Sequence, residues 1–438
     1  MTEPKGLKKT LTPFMLWGLG VGYVISGMYF GWNLGLEKGG TGGMAIATVV
    51  IALMYVTFTF SYAELACAIP KAGGVFDYAN KAMGKNMGFI AGIAQIVEFI
   101  LAPPAIAFAI GAYFNAFFPT VPILTSAIVI YFIFTALNIY GVKAAASFEV
   151  IITVLAVGEL LLFSGIALPK IQIVNLTHNA FPNGWDGALA AIPFAIWFFL
   201  GIEGLANVAE ETKNPQKDIS KGFGWAIFTL VVLCVLIFIA ATGIAGWEAI
   251  VYKNGISGET SDSPLPLALA KITGSNHLMY HLLITVGLFG LVASFHGLIL
   301  AAGRSTYEMG RAHNIPSFLG KISPKFRTPA NALAGNMVIG IFALLSGKTS
   351  EIIIISVFGA LTLYIISMVS IIILRKREPE LHRPFRVPLY PALPLISLII
   401  AAGSIIAMFI FNIQLGLIYF SIIGITFLLY KLLKPVDQ

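Results

Sequence analysis

The stretch GLGVGYVISGMYFG, residues 18–31, carries five glycines in 14 positions of an apolar run. Glycine costs about 1 kcal/mol against alanine in a helix interior. Small residues also let membrane helices pack closely, so this run is either a packing face or an interrupted helix. A second stretch, FLGIEG at residues 199–204, sets the carboxylate of Glu203 between Gly201 and Gly204. A packing face has no use for a buried acid, and the two stretches together favour functional breaks.

A membrane helix needs roughly 20 apolar residues to cross about 30 Å of hydrocarbon. Working outward, runs of that kind lie near 13–36, 43–69, 86–115, 121–139, 146–168, 188–211, 222–245, 278–303, 329–347, 351–374, 391–411 and 413–433. Inside a bilayer every backbone polar group must be satisfied within the segment, so these runs are predicted helices. The two glycine-broken stretches fall in the first and sixth runs, which predicts two repeats of five. Broken helices at corresponding positions of inverted repeats are a device of secondary transporters, with substrate bound at the breaks. Unwound carbonyl ends favour an ammonium group there, and amide ends favour an oxygen.

Composition excludes the soluble alternatives. Of 438 residues, 58% are hydrophobic and only 11% charged, against about 25% charged in a soluble domain. Mean hydropathy is +0.89. Too few charges exist to solvate two or three globular domains, so a soluble enzyme or a nucleic-acid binder is excluded. The two cysteines, Cys67 and Cys234, sit in apolar runs; they support neither a disulfide framework nor a thiolate metal site. No P-loop, HExxH or GxSxG motif occurs, so ATP-driven pumping, proteolysis and lipolysis lack their chemistry. No enzyme activity, cofactor or metal is expected.

The lysines and arginines set the orientation. With the N-terminus placed in the cytoplasm, only Lys38, Lys170, Lys253, Lys271 and Lys348 of the 27 fall outside. Basic residues mark the cytoplasmic side, so both termini are expected there, in a multi-pass protein of a plasma membrane of bacterial inner-membrane type. The expected organisation is a cytoplasmic tail at 1–12 and a transporter core at 13–374. The repeats lie at about 13–168 and 188–374. A cytoplasmic loop at 375–390 precedes two additional membrane helices within 391–433.

Ionisable residues in mid-span are functional candidates by default. Glu203 lies in the sixth-span break, Glu98 midway along the third span, and Glu159 in the second half of the fifth. No lysine or arginine lies at their depth. Either they are neutral acids, since burial disfavours the charge, or a cationic substrate supplies their partner. Glu203 and Glu159 are the candidates for ion coupling, with H+ or Na+ as the coupling ion. His296 is mid-span in the eighth helix, where lining a pathway and packing are equally served. Trp197, Phe198 and Phe199 precede the break, where an aromatic beside an acid can box an alkylammonium. Glu64, Glu149, Glu210 and Glu211, near cytoplasmic span ends, read as solvated or structural.

Several short motifs carry a resemblance across residues 10–435. They are ISGMYF at 25–30, YAEL at 62–65 with PKAGG at 70–74, and FLGIE at 199–203 with AEETKNP at 209–215. RSTY at 304–307 with Pro316, and RPFRVP at 383–388, complete the set. In that order the chain resembles the amino acid–polyamine–organocation permeases. The resemblance implies an all-α membrane protein with twelve transmembrane helices and a five-plus-five inverted repeat of the LeuT-like kind. It also implies alternating access and a site between spans 1, 3, 6 and 8. On this chain the corresponding residues are Ser26, Gly27, Met28, Glu98, Trp197, Phe199, Gly201, Glu203 and His296.

Within that family the run GYVISGMYFGWN at 22–33 and the FDY at 76–78 are most similar to the ethanolamine permeases. Amino-acid permeases usually carry Gly-Ser-Gly at the first break, where amides hold a carboxylate. Here Ser26, Gly27 and Met28 stand there, and Met28 departs from a carboxylate nest. Some members carry a fifth-span lysine implicated in proton coupling; the aligned position here is Ala156, with Glu159 almost a turn later. The implied cargo is ethanolamine or a similar small protonated amine, with a neutral or cationic amino acid as the alternative. The expected partners are that small molecule and the lipid bilayer, with no nucleic acid.

Overall fold

The computed structural model describes residues 9–141, 145–275 and 277–433. Lys5, Lys8, Lys143 and Lys434, counted above as cytoplasmic, lie outside the described residues, as does most of the expected tail. The protein is an all-helical membrane protein of the five-plus-five, LeuT-like kind. Ten helices are long and apolar enough to cross a membrane, and two shorter apolar helices, Pro13–Val24 and Ala330–Leu345, complete the twelve spans.

The first span comprises Pro13–Val24 and Ser26–Tyr29, with the discontinuity at Ile25. Its start is set by Pro13 at the first turn, where a missing N–H costs nothing, and by the Thr12 hydroxyl accepting from Met15 N–H at 3.4 Å. The chain then turns at Phe30 and Gly31, which has φ +86°. The helical stretch Asn33–Ala68 is two pieces joined at Gly40, whose backbone is not helical; a Cβ on Gly35 would meet Met44, so the chain folds back there and the second span starts just beyond Gly40, close to the expected 43. The expected first run, 13–36, thus corresponds to Pro13–Val24 with Ser26–Tyr29 and, past the interruption at Phe30 and Gly31, the piece that starts at Asn33. At Gly40, φ +63°, a Cβ would collide with Pro182 and the carbonyls of residues 179 and 180.

The third span is Lys85–Phe117, the fourth Ile123–Tyr140, and the fifth Ala145–Ala167. Pro103 and Pro104 lie inside the third; each removes one ladder hydrogen bond, just after Glu98. The sixth span is divided into Gly184–Ala190, Ile192–Trp197 and Ile202–Glu211, the last wound as a 3-10 helix. Gly201 supplies the left-handed turn between the halves, φ +99°. The seventh to twelfth spans are Pro215–Ala245, Leu278–Arg311, Ala330–Leu345, Thr349–Arg377, Ala392–Phe411 and Ile413–Leu433.

Spans 1, 2, 6 and 7 pack on one another, and spans 3, 4, 8 and 9 form a second group. Span 5 touches span 1 and span 7 on one side and span 8 on the other; span 10 packs mainly on span 3. Among the most heavily buried side chains, Trp32 packs on Phe198 of span 6 and Phe238 of span 7, and Tyr55 and Phe58 of span 2 pack on Tyr364 of span 10. Spans 11 and 12 present Ile399, Ile406, Leu417 and Leu428 outward, as lipid-facing helices do.

Candidate functional site

The two breaks cross. A Cβ on Gly27 would collide with the Trp197 carbonyl, and one on Gly31 would collide with the Trp197 ring. Only hydrogen at those positions lets the halves of spans 1 and 6 approach so closely. Gly201 in turn faces Tyr23 O, and Gly204 the Tyr23 ring. Ser294 of span 8 ties the first break to the second group. Its hydroxyl donates to Gly22 O at 2.6 Å and accepts from Ser26 N–H at 2.9 Å. The Met28 N–H donates to Ile25 O at 3.0 Å. Two amides of the first break are therefore already engaged.

Glu98 and Glu203 meet at this crossing. Both are 0% exposed, and their carboxyls lie close enough to interact, while among the described residues neither Glu98 oxygen has another hydrogen-bond partner. The Tyr364 hydroxyl donates to Glu203 Oε2 at 2.9 Å and lies 2.9 Å from the Tyr55 hydroxyl. Ser356 donates to the Glu98 carbonyl at 2.9 Å, and Gly359 lets span 10 lie against the same turn. Among the described residues no lysine or arginine pairs with either acid. Burying a net charge without a partner is expensive, so such acids are either neutral or matched by a cation from outside the chain.

Aromatic rings enclose the acids. Phe199 lies 5.1 Å from Tyr55, Phe58 lies 4.3 Å from Tyr364, and Phe30 meets Trp197 edge-on at 5.5 Å. Trp32 stacks on Phe198 at 5.3 Å. The indole N–H of Trp197 is buried with no hydrogen-bond partner. Ser26, Gly27, Met28, Glu98, Trp197, Phe199, Gly201 and Glu203 are thus brought together at the breaks. Tyr55, Tyr364 and Ser294 join them and were not singled out by the sequence. A hydroxyl on a ring inside an apolar run was the available signal.

The other expected residues lie elsewhere. His296 faces Glu149, with Nδ1 3.4 Å from Oε2, and the Phe134 ring. Glu149 is 2% exposed and is not solvated. Glu159 accepts from the Tyr29 hydroxyl at 2.6 Å. Glu64 is structural: it is 1% exposed, accepts from Arg375 Nε and Nη2 at 2.7 and 2.6 Å, and from Val387 N–H at 2.7 Å. Cys67 and Cys234 are buried free thiols.

The two faces differ. On the face where Leu11 meets Thr212, Asn207 accepts from Gln95 at 3.3 Å and donates to Ser305 at 3.2 Å, linking spans 3, 6 and 8. Leu11 is strapped to Thr212 by a short parallel bridge. On the opposite face lies a vestibule of about 760 Å³ lined in part by Glu37, Lys253, Asp262 and Glu351. Burial raises the Asp262 carboxyl to about 6, against the opposing hydrogen bond from Thr349 and the charge of Lys253.

Comparison with known proteins agrees with this architecture. The family model described as amino acid permease matches residues 11–428. The branched-chain amino acid permease of Bacillus subtilis is 28% identical over 89% of this chain and 86% of its own. The low-affinity putrescine importer of Escherichia coli is 27% identical over 96% and 93%. The methylthioribose transporter of Bacillus subtilis is 26% identical over 90% and 87%.

Proposed function

The chain belongs to the amino acid permease family, and on that footing we propose that it imports ethanolamine or a similar small protonated amine. At the coarser level it is a secondary transporter of an amino acid or amine. The observation that carries the amine reading is the Glu98–Glu203 carboxyl pair, fully buried and without a basic partner. Holding one proton, the pair has a single negative charge, the complement of one ammonium. Trp197 and Phe199 wall the ammonium. Ser26 and Gly27 offer hydroxyl and backbone contacts to the cargo's oxygen. The engaged amides of Ser26 and Met28 leave little for a carboxylate.

In this reading the face where Leu11 meets Thr212 is cytoplasmic, as the basic residues suggest, and the vestibule opens to the outside. Access alternates as spans 1, 2, 6 and 7 rock against spans 3, 4, 8 and 9. A second reading, import of a neutral or cationic amino acid, is favoured by the similarity to a branched-chain amino acid permease.

The test is uptake into proteoliposomes of labelled ethanolamine, alanine and arginine, with and without a pH or sodium gradient. Ethanolamine should enter and alanine should compete weakly. Entry of alanine without competition by ethanolamine would sink the amine reading. Glu203→Gln should weaken ethanolamine uptake and change its pH dependence; unchanged affinity and pH profile would remove Glu203 from the site.

A further inference from the structure

Glu149 and His296 form a second buried acid–base cluster, apart from the acids at the breaks. Their side chains are 2% and 9% exposed. Both Glu149 oxygens and His296 Nδ1 lack a hydrogen bond of good geometry, although the groups lie 3.4 Å apart. They line a cavity of about 60 Å³ that also touches Tyr23, Glu211 and Arg304. Buried polar atoms without partners are costly, and a structural pair would be tightly satisfied. This one is held slack beside a space that admits water.

The cluster also touches the hinge of span 1. A Cβ on Gly22 would come within 2.9 Å of Glu149 Oε1, while Gly22 O accepts from Ser294. One residue of the first break therefore abuts Glu149 of span 5 and bonds Ser294 of span 8, two positions before His296. Tyr23 packs its ring against Gly297. The cluster thus touches the half-helix that leads to the Glu98–Glu203 site.

The surrounding ionisable groups are few. Tyr23 faces the cluster from span 1, Glu211 from span 6 and Arg304 from span 8; Arg304 and Glu211 are paired at 2.5 Å. Span 4 contributes the Phe134 ring, while its Tyr131 lies against Gly340 of span 9. The one carboxyl of span 3, Glu98, faces Glu203. An imidazole and a carboxylate 3.4 Å apart can share one proton between them.

Resting on the reading of the chain as a secondary transporter, we propose that Glu149 and His296 bind the coupling proton. The proton is held by the cluster while span 1 covers it. It passes through the small cavity to the cytoplasm when span 1 moves away. No bond other than that to the proton is made or broken.

The experiment uses the full chain in proteoliposomes, with labelled ethanolamine and labelled alanine run in parallel. One arm measures counterflow without a gradient; the other measures accumulation under an inward gradient of one pH unit with the membrane potential clamped. One proton per substrate gives about tenfold accumulation per pH unit. Glu149→Gln should reduce that to about onefold while counterflow stays within about threefold of wild type. His296→Gln should displace the pH midpoint of accumulation. Tenfold accumulation by Glu149→Gln overturns the proposal. So does wild-type accumulation driven by sodium and not by pH, or counterflow lost together with accumulation in both variants. If alanine exchanges and ethanolamine does not, the amine reading falls, and the proton arm is read on alanine.

Discussion

The α-carbon of Gly27 rests against the main-chain oxygen of Trp197, so the interruptions of spans 1 and 6 touch backbone to backbone. Nothing larger than hydrogen fits. The contact explains why a glycine-rich run is tolerated in the middle of a membrane helix despite its cost.

Gly27→Ala should therefore force the two breaks apart. Overpacking of this kind costs about 1–3 kcal/mol, and initial uptake should fall about tenfold or more with the protein still folded. Gly165→Ala is the control, because nothing lies within 4 Å of its added methyl. Equal uptake by the two variants would contradict the crossing of the breaks.

Tyr364 is the hydroxyl that orients Glu203. Its removal in Tyr364→Phe withdraws a hydrogen bond to a charged group, of about 1.5–3 kcal/mol, and should raise KM for ethanolamine about tenfold or more. Tyr55→Phe leaves the Tyr364–Glu203 bond in place and should raise KM only about threefold. A substrate titration separates the two; the reverse order would mean that Tyr55 is the positioning group.

Glu64 joins span 2 to span 10 and to the loop that follows it. Arg375 grips it with two nitrogens and stacks over Tyr390 at 4.5 Å, while Arg383 Nε approaches at 3.3 Å. Removing the acid leaves Arg383, with a side chain only 4% exposed, without its charge partner. Broken buried pairs cost about 3–5 kcal/mol. Glu64→Ala should lower the melting temperature in detergent strongly, and Arg375→Lys, which loses the two-pronged geometry, should fall between. A melting curve unmoved by Glu64→Ala would show the clamp to be idle.

Asp262 gives a pH signature on the vestibule side. Its carboxyl stands at about 6 in the folded protein against an ordinary 3.8, because it is buried. A raised carboxyl is fully compatible with the fold below its unfolded value. That share of stability is lost as pH climbs through about 6, where the buried group must ionise. Asp262→Asn should match wild type near pH 4 and exceed it above pH 6, by on the order of 1–2 kcal/mol. Parallel melting curves for the two proteins from pH 4 to 8 would refute this.

Much of the fold was legible in the sequence because an apolar run bounded by polar residues has few other readings in a bilayer. The boundary between the first two spans was legible too: Glu37 and Lys38 sit at a water-facing helix end, and the chain turns at Gly40 just beyond them. Glu98 and Glu203 stood out as lone acids in mid-span. Tyr55, Tyr364 and Ser294 did not, since a hydroxyl in an apolar run serves packing equally well. Glu149 looked like any acid near a span end. Gly22, more than a hundred positions earlier, and His296, nearly 150 later, give it its setting, and only the folded chain brings them there. The 3-10 winding of Ile202–Glu211 has no compositional mark at all.

That winding has a consequence for reach. A 3-10 helix rises about 2.0 Å per residue and an α-helix about 1.5 Å. Runs beyond 3–4 residues are uncommon, yet this one holds ten. Rewound as an α-helix it would contract by about 5 Å, drawing Thr212, and with it the bridged Leu11, toward the membrane centre. Spin labels on the exposed Lys213 and Lys325 should register that stroke when substrate is added; a fixed separation under every condition would mean the segment never shortens. The lower half of span 6 is thus a stretched spring whose recoil is measured in one helical pitch.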